Sequence, residues 1–225
     1  MRSPLSRRSL VLAAAATGLA GTGLATFGQH GTGRAPLPSM TDGPFYPPRR
    51  WRERQSNAGD WDADLTRVRR GAHTLEARGE HLALLASVVD TGGRPVDGAE
   101  VEIWQCDALA AYHHPHTRAA VDTIDPGFQG FGAAVSDRQG RLRLRTIRPV
   151  PYPGRTPHIH VKLRHAAFGE WTSQLFVAGE PGNERDFLWR GLSPAGREAA
   201  AMRLQPAGGE DGLHWQVRHA LVVPA

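Results

Sequence analysis

The segment Pro149-Val150-Pro151-Tyr152-Pro153-Gly154-Arg155-Thr156-Pro157-His158-Ile159-His160 restricts the fold more than any other stretch of the chain. Each of its prolines lacks a backbone N–H and disfavours the α conformation in the residue before it, so no helix runs through this region. Directly afterwards Ile159, Val161 and Leu163 take alternate positions with His158 and His160 between and before them. On a strand, where side chains alternate between faces, the apolar set turns to the core and the two imidazoles turn to the opposite side. Paired imidazoles on that side make a metal the first candidate ligand.

The same turn punctuation recurs along the chain. Leu82–Val89 is almost continuously apolar, the pattern of a strand buried on both faces, and Asp90-Thr91-Gly92-Gly93-Arg94-Pro95 turns the backbone. Ala99–Cys106 reads as the next strand. Gly130–Ser136 and Arg141–Ile147 flank Asp137-Arg138-Gln139-Gly140, a hairpin signal, and Leu142 and Leu144 alternate with three arginines as on a half-buried strand. His158–Arg164, Trp171–Ala178 and His214–Val223 complete about seven short strands, which predicts an all-β domain, an antiparallel β-sandwich, over residues 81–225. One or two short helices are expected, one of them with Ser193 as N-cap and Pro194 at the first helical position, running to about Leu204. Residues 34–80 read as a loop-rich N-terminal arm: five prolines between Pro36 and Pro48 keep its first part extended, Phe45 and Tyr46 hold it on the domain, and residues 51–80 are expected to be loops.

Residues 1–33 carry Arg7-Arg8 followed by a short apolar run diluted with Gly and Thr, the pattern of an export signal of the twin-arginine (Tat) type rather than a membrane anchor. This predicts a protein exported by the Tat machinery to the periplasm or beyond. Arg2, Arg7 and Arg8 are the only Lys, Arg, Asp or Glu in that segment. Of the 27 basic residues 24 therefore remain, against 22 acidic ones, and a nucleic-acid partner loses its electrostatic basis. Cys106, the single cysteine, excludes an internal disulfide and reads as a small buried residue.

The chain holds three tyrosines, Tyr46, Tyr112 and Tyr152. Tyr152 stands in a rigid Pro-Tyr-Pro setting shortly before His158, and Tyr112 follows the strand that contains Trp104. A phenol with a pKa of about 10 is a poor ligand until a cation ionises it. Two phenolates with two neutral imidazoles make a hard, anionic donor set suited to iron(III), whereas zinc more commonly recruits cysteine, further histidine or a carboxylate. His113, His114 and His116 form a loop cluster expected to be solvated.

Val101-Glu102-Ile103-Trp104-Gln105-Cys106 leading to Tyr112, then Pro151-Tyr152-Pro153, Arg155-Thr156-Pro157-His158-Ile159-His160 and Ser173-Gln174-Leu175-Phe176, resemble the intradiol ring-cleavage dioxygenases, chiefly the protocatechuate 3,4-dioxygenase type, over residues 81–180. The resemblance implies non-haem Fe(III) held by Tyr112, Tyr152, His158 and His160. It implies a small catechol-type aromatic and O2 as substrates, with both oxygen atoms entering the product. Tyr152 matches the tyrosine that leaves the metal when a catechol binds and takes a substrate proton. Arg155 matches the arginine that supports negative charge on the ring, and Gln174 a glutamine near the substrate oxygens. Tyr46 matches N-terminal residues that line the pocket mouth, with packing of the arm as the other reading. Trp104 reads as core packing, with substrate contact as the alternative. Relatives assemble as oligomers, which makes a homo-oligomer an expectation.

Two departures qualify the match. Only Pro153 and Gly154 separate Tyr152 from Arg155, where protocatechuate-type enzymes have a longer segment with a tryptophan, so a more open roof is expected. No counterpart of the helical N-terminal dimerisation region of catechol and hydroxyquinol dioxygenases is expected. Two rival readings stand beside the dioxygenase: an exported β-sandwich binding module that keeps the fold and metal without oxygen chemistry, and a zinc hydrolase on His158 and His160.

Overall fold

The computed structural model describes residues 33–54, 60–117 and 123–224. The segment read as an export signal lies outside them apart from Gly33. After an extended arm come a helical turn, α1 (Arg49–Arg52), and a hairpin of β1 (Arg67–Arg70) and β2 (His73–Glu76). Six longer strands follow: β3 (His81–Asp90), β4 (Glu100–Trp104), β5 (Phe131–Val135), β6 (Arg141–Ile147), β7 (His158–His165) and β8 (Gly169–Val177). Helices α2 (Phe187–Gly191) and α3 (Pro194–Ala200) lead to β9 (Ala201–Met202), β10 (Gln205–Pro206) and β11 (Trp215–Val223).

Two open sheets, β10-β11-β3-β6 and β5-β4-β7-β8-β9, share one apolar core. Leu82, Leu84, Ala86 and Val88 of β3 meet Val101 and Ile103 of β4, Ile159, Val161 and Leu163 of β7, and Val217 and Leu221 of β11 in that core. The period-two alternation decides which residues these are: on β6 Leu142 and Leu144 are buried while Arg141 and Arg143 are exposed. The β-sandwich read from the sequence is the observed fold. The turn before β6 closes through Gly140, whose φ of 72° suits glycine and where a side chain would strike the Val88 carbonyl.

Three details differ from the expectations. The sheets are mixed, because β11 lies parallel to β3 (Trp215 opposite Leu82 through Val223 opposite Asp90) and β9 parallel to β8. The last helix stops at Ala200, before the expected Leu204, because Ala201 and Met202 pair with Phe176 and Val177 and Met202 enters the core. Residues 51–80 are not all loop: β1 and β2 pair antiparallel, although Val68 alone among their residues is buried. One inward side chain in eight leaves no readable hydrophobic period. Leu37 and Leu65 are fully buried in the core, so the segment before β3 is part of the packed body.

Candidate metal centre

β7 presents His158 and His160 away from the main core, yet each is only 2% exposed. A second apolar cluster of Trp104, Cys106, Tyr112 and Phe131, joined by Phe45, Tyr46, Val150 and Tyr152, covers that face. Strand register sets the row across it: Trp104 lies opposite His160, and His160 opposite Gln174. The Trp104 ring stacks on the His160 ring at 4.7 Å and 12°.

Tyr112 reaches the same point from the loop after β4. The Asp107 carboxylate is buried and accepts hydrogen bonds from the N–H groups of Leu109 (2.9 Å), Ala111 (3.0 Å) and Asp125 (2.8 Å), which folds the loop back on itself. The Tyr112 oxygen then stands 3.1 Å from His160 Nε2 and 3.4 Å from His158 Nε2. Phe45 of the arm stacks on the Tyr112 ring at 4.4 Å and 15°. The Tyr152 ring lies 5.7 Å from that of Tyr112 and 5.5 Å from that of His158. His158 Nδ1 donates to the Thr156 carbonyl at 2.6 Å, which fixes the tautomer and leaves the Nε2 lone pair facing the Tyr112 oxygen.

The state of protonation leaves both imidazoles available as ligands. Burial, then the Arg155 charge, pushes His158 down to about 4; burial, His158 and Arg155 hold His160 well below the ordinary imidazole value. Both rings are therefore neutral ligands at pH 7. Burial and the neighbouring Tyr152 push the Tyr112 hydroxyl well above the phenol range. Burial also raises Tyr152, against the opposing pull of Arg155. Neither phenol ionises in such a place without a cation beside it. Among the described residues no group of three His, Cys, Asp or Glu forms a metal site, so phenols are what can complete the histidine pair. Donors about 2.0–2.2 Å from one cation stand about 3 Å from each other, the spacing seen between the Tyr112 oxygen and both Nε2 atoms. Hard oxygens with imidazole suit a trivalent ion such as iron(III).

Arg155 follows Tyr152 through a tight turn and is clamped: Nε donates to Asp186 Oδ2 at 2.8 Å and Nη2 to Gln174 Oε1 at 2.6 Å. Its charge lies near enough to the Tyr152 side chain to oppose the rise that burial imposes on that phenol. Gln174 therefore touches Arg155, and it is buried at 1% exposure.

Tyr46 is held by charged residues of β4 and β7. Its hydroxyl donates to Glu102 Oε2 at 2.7 Å and accepts from Arg164 Nη2 at 3.0 Å, while its ring packs edge-on against Trp104 at 4.9 Å and under Lys162 Nζ at 4.1 Å. Lys162 Nζ also donates to Asp42 Oδ2 at 2.6 Å, so β7 holds the arm with the residues that follow its histidines. Trp104 is fully buried between Tyr46 and His160.

The loop histidines are occupied among themselves and with the protein. His113 Nε2 pairs with Asp107 Oδ2 at 3.3 Å, and His114 Nε2 with the Tyr46 carbonyl at 3.2 Å. His114 is buried rather than solvated, because the arm and Trp51 cover it. Burial, then the charge of Asp107, pushes the Cys106 thiol up to about 12, so it stays protonated. A separate cleft of about 350 Å³, lined by Trp51, Arg52, Trp61, His113, His114 and Phe131, opens beside the Tyr112 loop, and none of the four donors lines it.

Sequence reasoning missed Asp186 and the covering role of Phe45. Asp186 left one local signal, its place as an N-cap before Phe187-Leu188-Trp189. Nothing in the order of residues joins Phe45 to Tyr112.

The Dioxygenase_C family model, described as dioxygenase, matches residues 52–195. The protocatechuate 3,4-dioxygenase beta chain of Burkholderia cepacia is 34% identical over 164 residues, which are 68% of this chain and 68% of that protein. The hydroxyquinol 1,2-dioxygenase of Rhizobium sp. (strain MTP-10005) is 26% identical over 184 residues, 72% of this chain but 61% of its own length. Among solved structures, the dioxygenase domain of a dioxygenase carbohydrate-binding protein fusion from the cellulolytic bacterium Streptomyces sp. SirexAA-E superposes with a TM-score of 0.59 at 27% identity, covering 85% of this chain and 99% of that one. An intradiol ring-cleavage dioxygenase from Tetranychus urticae, with a TM-score of 0.62 at 19% identity over 84% of this chain and 95% of that one, shares the fold.

Proposed function

The chain belongs to the intradiol ring-cleavage dioxygenases, a family of oxygenase enzymes, and on that premise we propose that it uses iron(III) and O2 to open a small catechol-type ring between its two hydroxyl-bearing carbons. The observation that carries this reading is the convergence of two phenols on two neutral imidazoles, with an arginine held beside one of the phenols.

Tyr112, Tyr152, His158 and His160 would hold the metal. Bound there, iron(III) supplies a Lewis acid for the catecholate oxygens and the redox partner that ring cleavage by O2 needs. The two tyrosines are built for different tasks. Tyr112 is buried, stacked under Phe45 and set on a loop fixed by Asp107, which suits a permanent ligand. Tyr152 is half-buried on a turn, which suits a side chain that swings away and takes a catechol proton on its oxygen. Arg155 carries a permanent positive charge at the point where the ring becomes anionic, and Gln174 orients it. Trp104, stacked on His160 and fully buried, sets the orientation of that ring.

The two-residue Pro153-Gly154 link favours an open roof and a substrate chosen from the wider catechol class. Residues 1–33 support export of the folded, metal-loaded protein by the twin-arginine route. The decisive experiment incubates the iron-loaded protein aerobically with catechol, hydroxyquinol and protocatechuate and follows oxygen uptake and product structure. Uptake with a muconate-type diacid supports the reading. No uptake across the panel would leave an exported binding module, and zinc in place of iron in the purified protein would favour the hydrolase.

A further inference from the structure

Asp186 stands between the 3₁₀ turn Pro181–Arg185 and α2 and is 1% exposed. Its two oxygens divide their work. Oδ1 accepts from the N–H groups of Leu188 (2.9 Å) and Trp189 (3.2 Å), capping α2; Oδ2 accepts from Arg155 Nε (2.8 Å) and from the Thr156 N–H (3.1 Å). The surrounding segment is itself anchored, since Thr156 Oγ1 donates to Asn183 Oδ1 at 2.8 Å and Asn183 Nδ2 donates to the Val177 carbonyl at 2.9 Å. Burial works against the Asp186 charge, and the hydrogen bonds from Arg155 and Thr156 nonetheless hold its carboxyl below the usual range.

An N-cap on a five-residue helix does not by itself account for a buried carboxylate, because taking the charge out of water costs more than one cap returns. Arg155 is what makes the arrangement favourable. The guanidinium is then held on three sides, by Asp186, by Gln174 and by the Phe187 ring, whose centroid lies 5.3 Å away. With Nε and Nη2 engaged in this way, Nη1 is left to face a bound ring.

We propose that Asp186 is a positioning residue for Arg155, tying the charge that faces the substrate to the 181–191 segment. The inference rests on the dioxygenase reading given above. A longer or shifted 181–191 segment in a related chain would, on this account, move Arg155 without changing any metal ligand.

Asp186→Asn tests it, because asparagine caps a helix as well as aspartate does but turns an N–H group or a weaker oxygen towards Arg155. The expected result is a fall in kcat on the order of 100-fold with KM within about threefold, as for a misplaced catalytic group, and unchanged iron content. Combined with Arg155→Ala, the change should add nearly nothing to the loss from Arg155→Ala alone. Asp186→Ser, which also caps, should behave as Asp186→Asn does and serves if the amide variant fails to fold. A second readout needs no turnover: the absorbance maximum of 4-nitrocatechol bound anaerobically reports the charge around its ring. It should shift in Asp186→Asn and in Arg155→Ala, with no further shift in the double variant. Losses that multiply in the double variant, or an unshifted spectrum with full kcat in Asp186→Asn, overturn the inference while leaving the dioxygenase reading intact. A wild-type protein that consumes no oxygen overturns that reading instead, and the spectra then decide Asp186. Failure of the wild type to bind the probe at all overturns both.

Discussion

Tyr152 and Arg155 are the two ends of one β-turn, in which the Arg155 N–H donates to the Tyr152 carbonyl at 2.9 Å. Pro153 and Gly154 fill its corner, and Gly154 adopts a φ of 84°, the pattern of a type II turn. On the proposed reading, the ligand that is to leave and the charge that is to receive the substrate thus share one short rigid link. Four predictions extend from this turn to the rest of the centre.

Gly154→Ala places a side chain in open space but in a left-handed backbone conformation. The cost is about 1–2 kcal/mol. For a chain of this length a drop in Tm of roughly 2–4 °C per kcal/mol follows, measurable by calorimetry. Iron content should be unchanged while kcat falls, because the turn orients Arg155 and Tyr152 rather than the histidines.

The two tyrosines should separate in colour and metal content. Tyr112→Phe is expected to lose most of its iron, since the buried donor cannot be replaced from solvent. Tyr152→Phe should keep iron and lose part of the visible phenolate-to-iron absorption. The double variant should be colourless even when loaded. Elemental analysis with visible spectroscopy checks all three, and a double variant that kept its colour would contradict the ligand assignment.

Trp104 distinguishes packing from substrate contact. Trp104→Ala removes a fully buried ring that lies against His160 and should cost about 3–5 kcal/mol. Trp104→Phe retains a ring for His160 and should leave KM for any accepted catechol within about threefold, because the residue acts through packing. A large rise in KM with unchanged stability would instead make Trp104 a substrate contact.

Acid should destabilise the metal-free protein in a defined window. His158 is lowered from 6.5 to about 4 in the fold, so the unfolded chain binds its proton first as the pH falls. Stability present above pH 6.5 is therefore lost progressively down to about pH 4, on the order of 3 kcal/mol from this residue. His160 and His219, both lowered by burial, act in the same direction. Denaturant titrations at pH 7.5 and 4.5 should show the loss, and His158→Gln should reduce its slope. An unchanged slope in that variant would remove His158 as the cause.

Much of this face is legible in the sequence. The alternation around Ile159, Val161 and Leu163 assigned His158 and His160 to one strand face, and the Pro-Tyr-Pro and Pro-His-Ile-His context named Tyr152 and its neighbours, because these signals extend over only a few residues. The β6 hairpin was legible for the same reason: Asp137 and Gly140 carry their own turn chemistry. The hairpin of β1 and β2 was not, since it rests on backbone pairing with little apolar pattern.

What the tertiary structure decided is how the ligand face is closed. Strand alternation places the histidines of β7 only on the face opposite the main core; that Phe45, Tyr46 and Trp104 bury this face, and that Asp42 fastens the arm to Lys162, comes from the fold. Tyr46 was drawn to Glu102 and Arg164, and Asp186 to Arg155, by partners far along the chain. Turn chemistry and strand alternation are local and can be read in order. The cover over a site, and the carboxylate that steadies its arginine, depend on which distant segments the packed sheets bring together, and no local period records that.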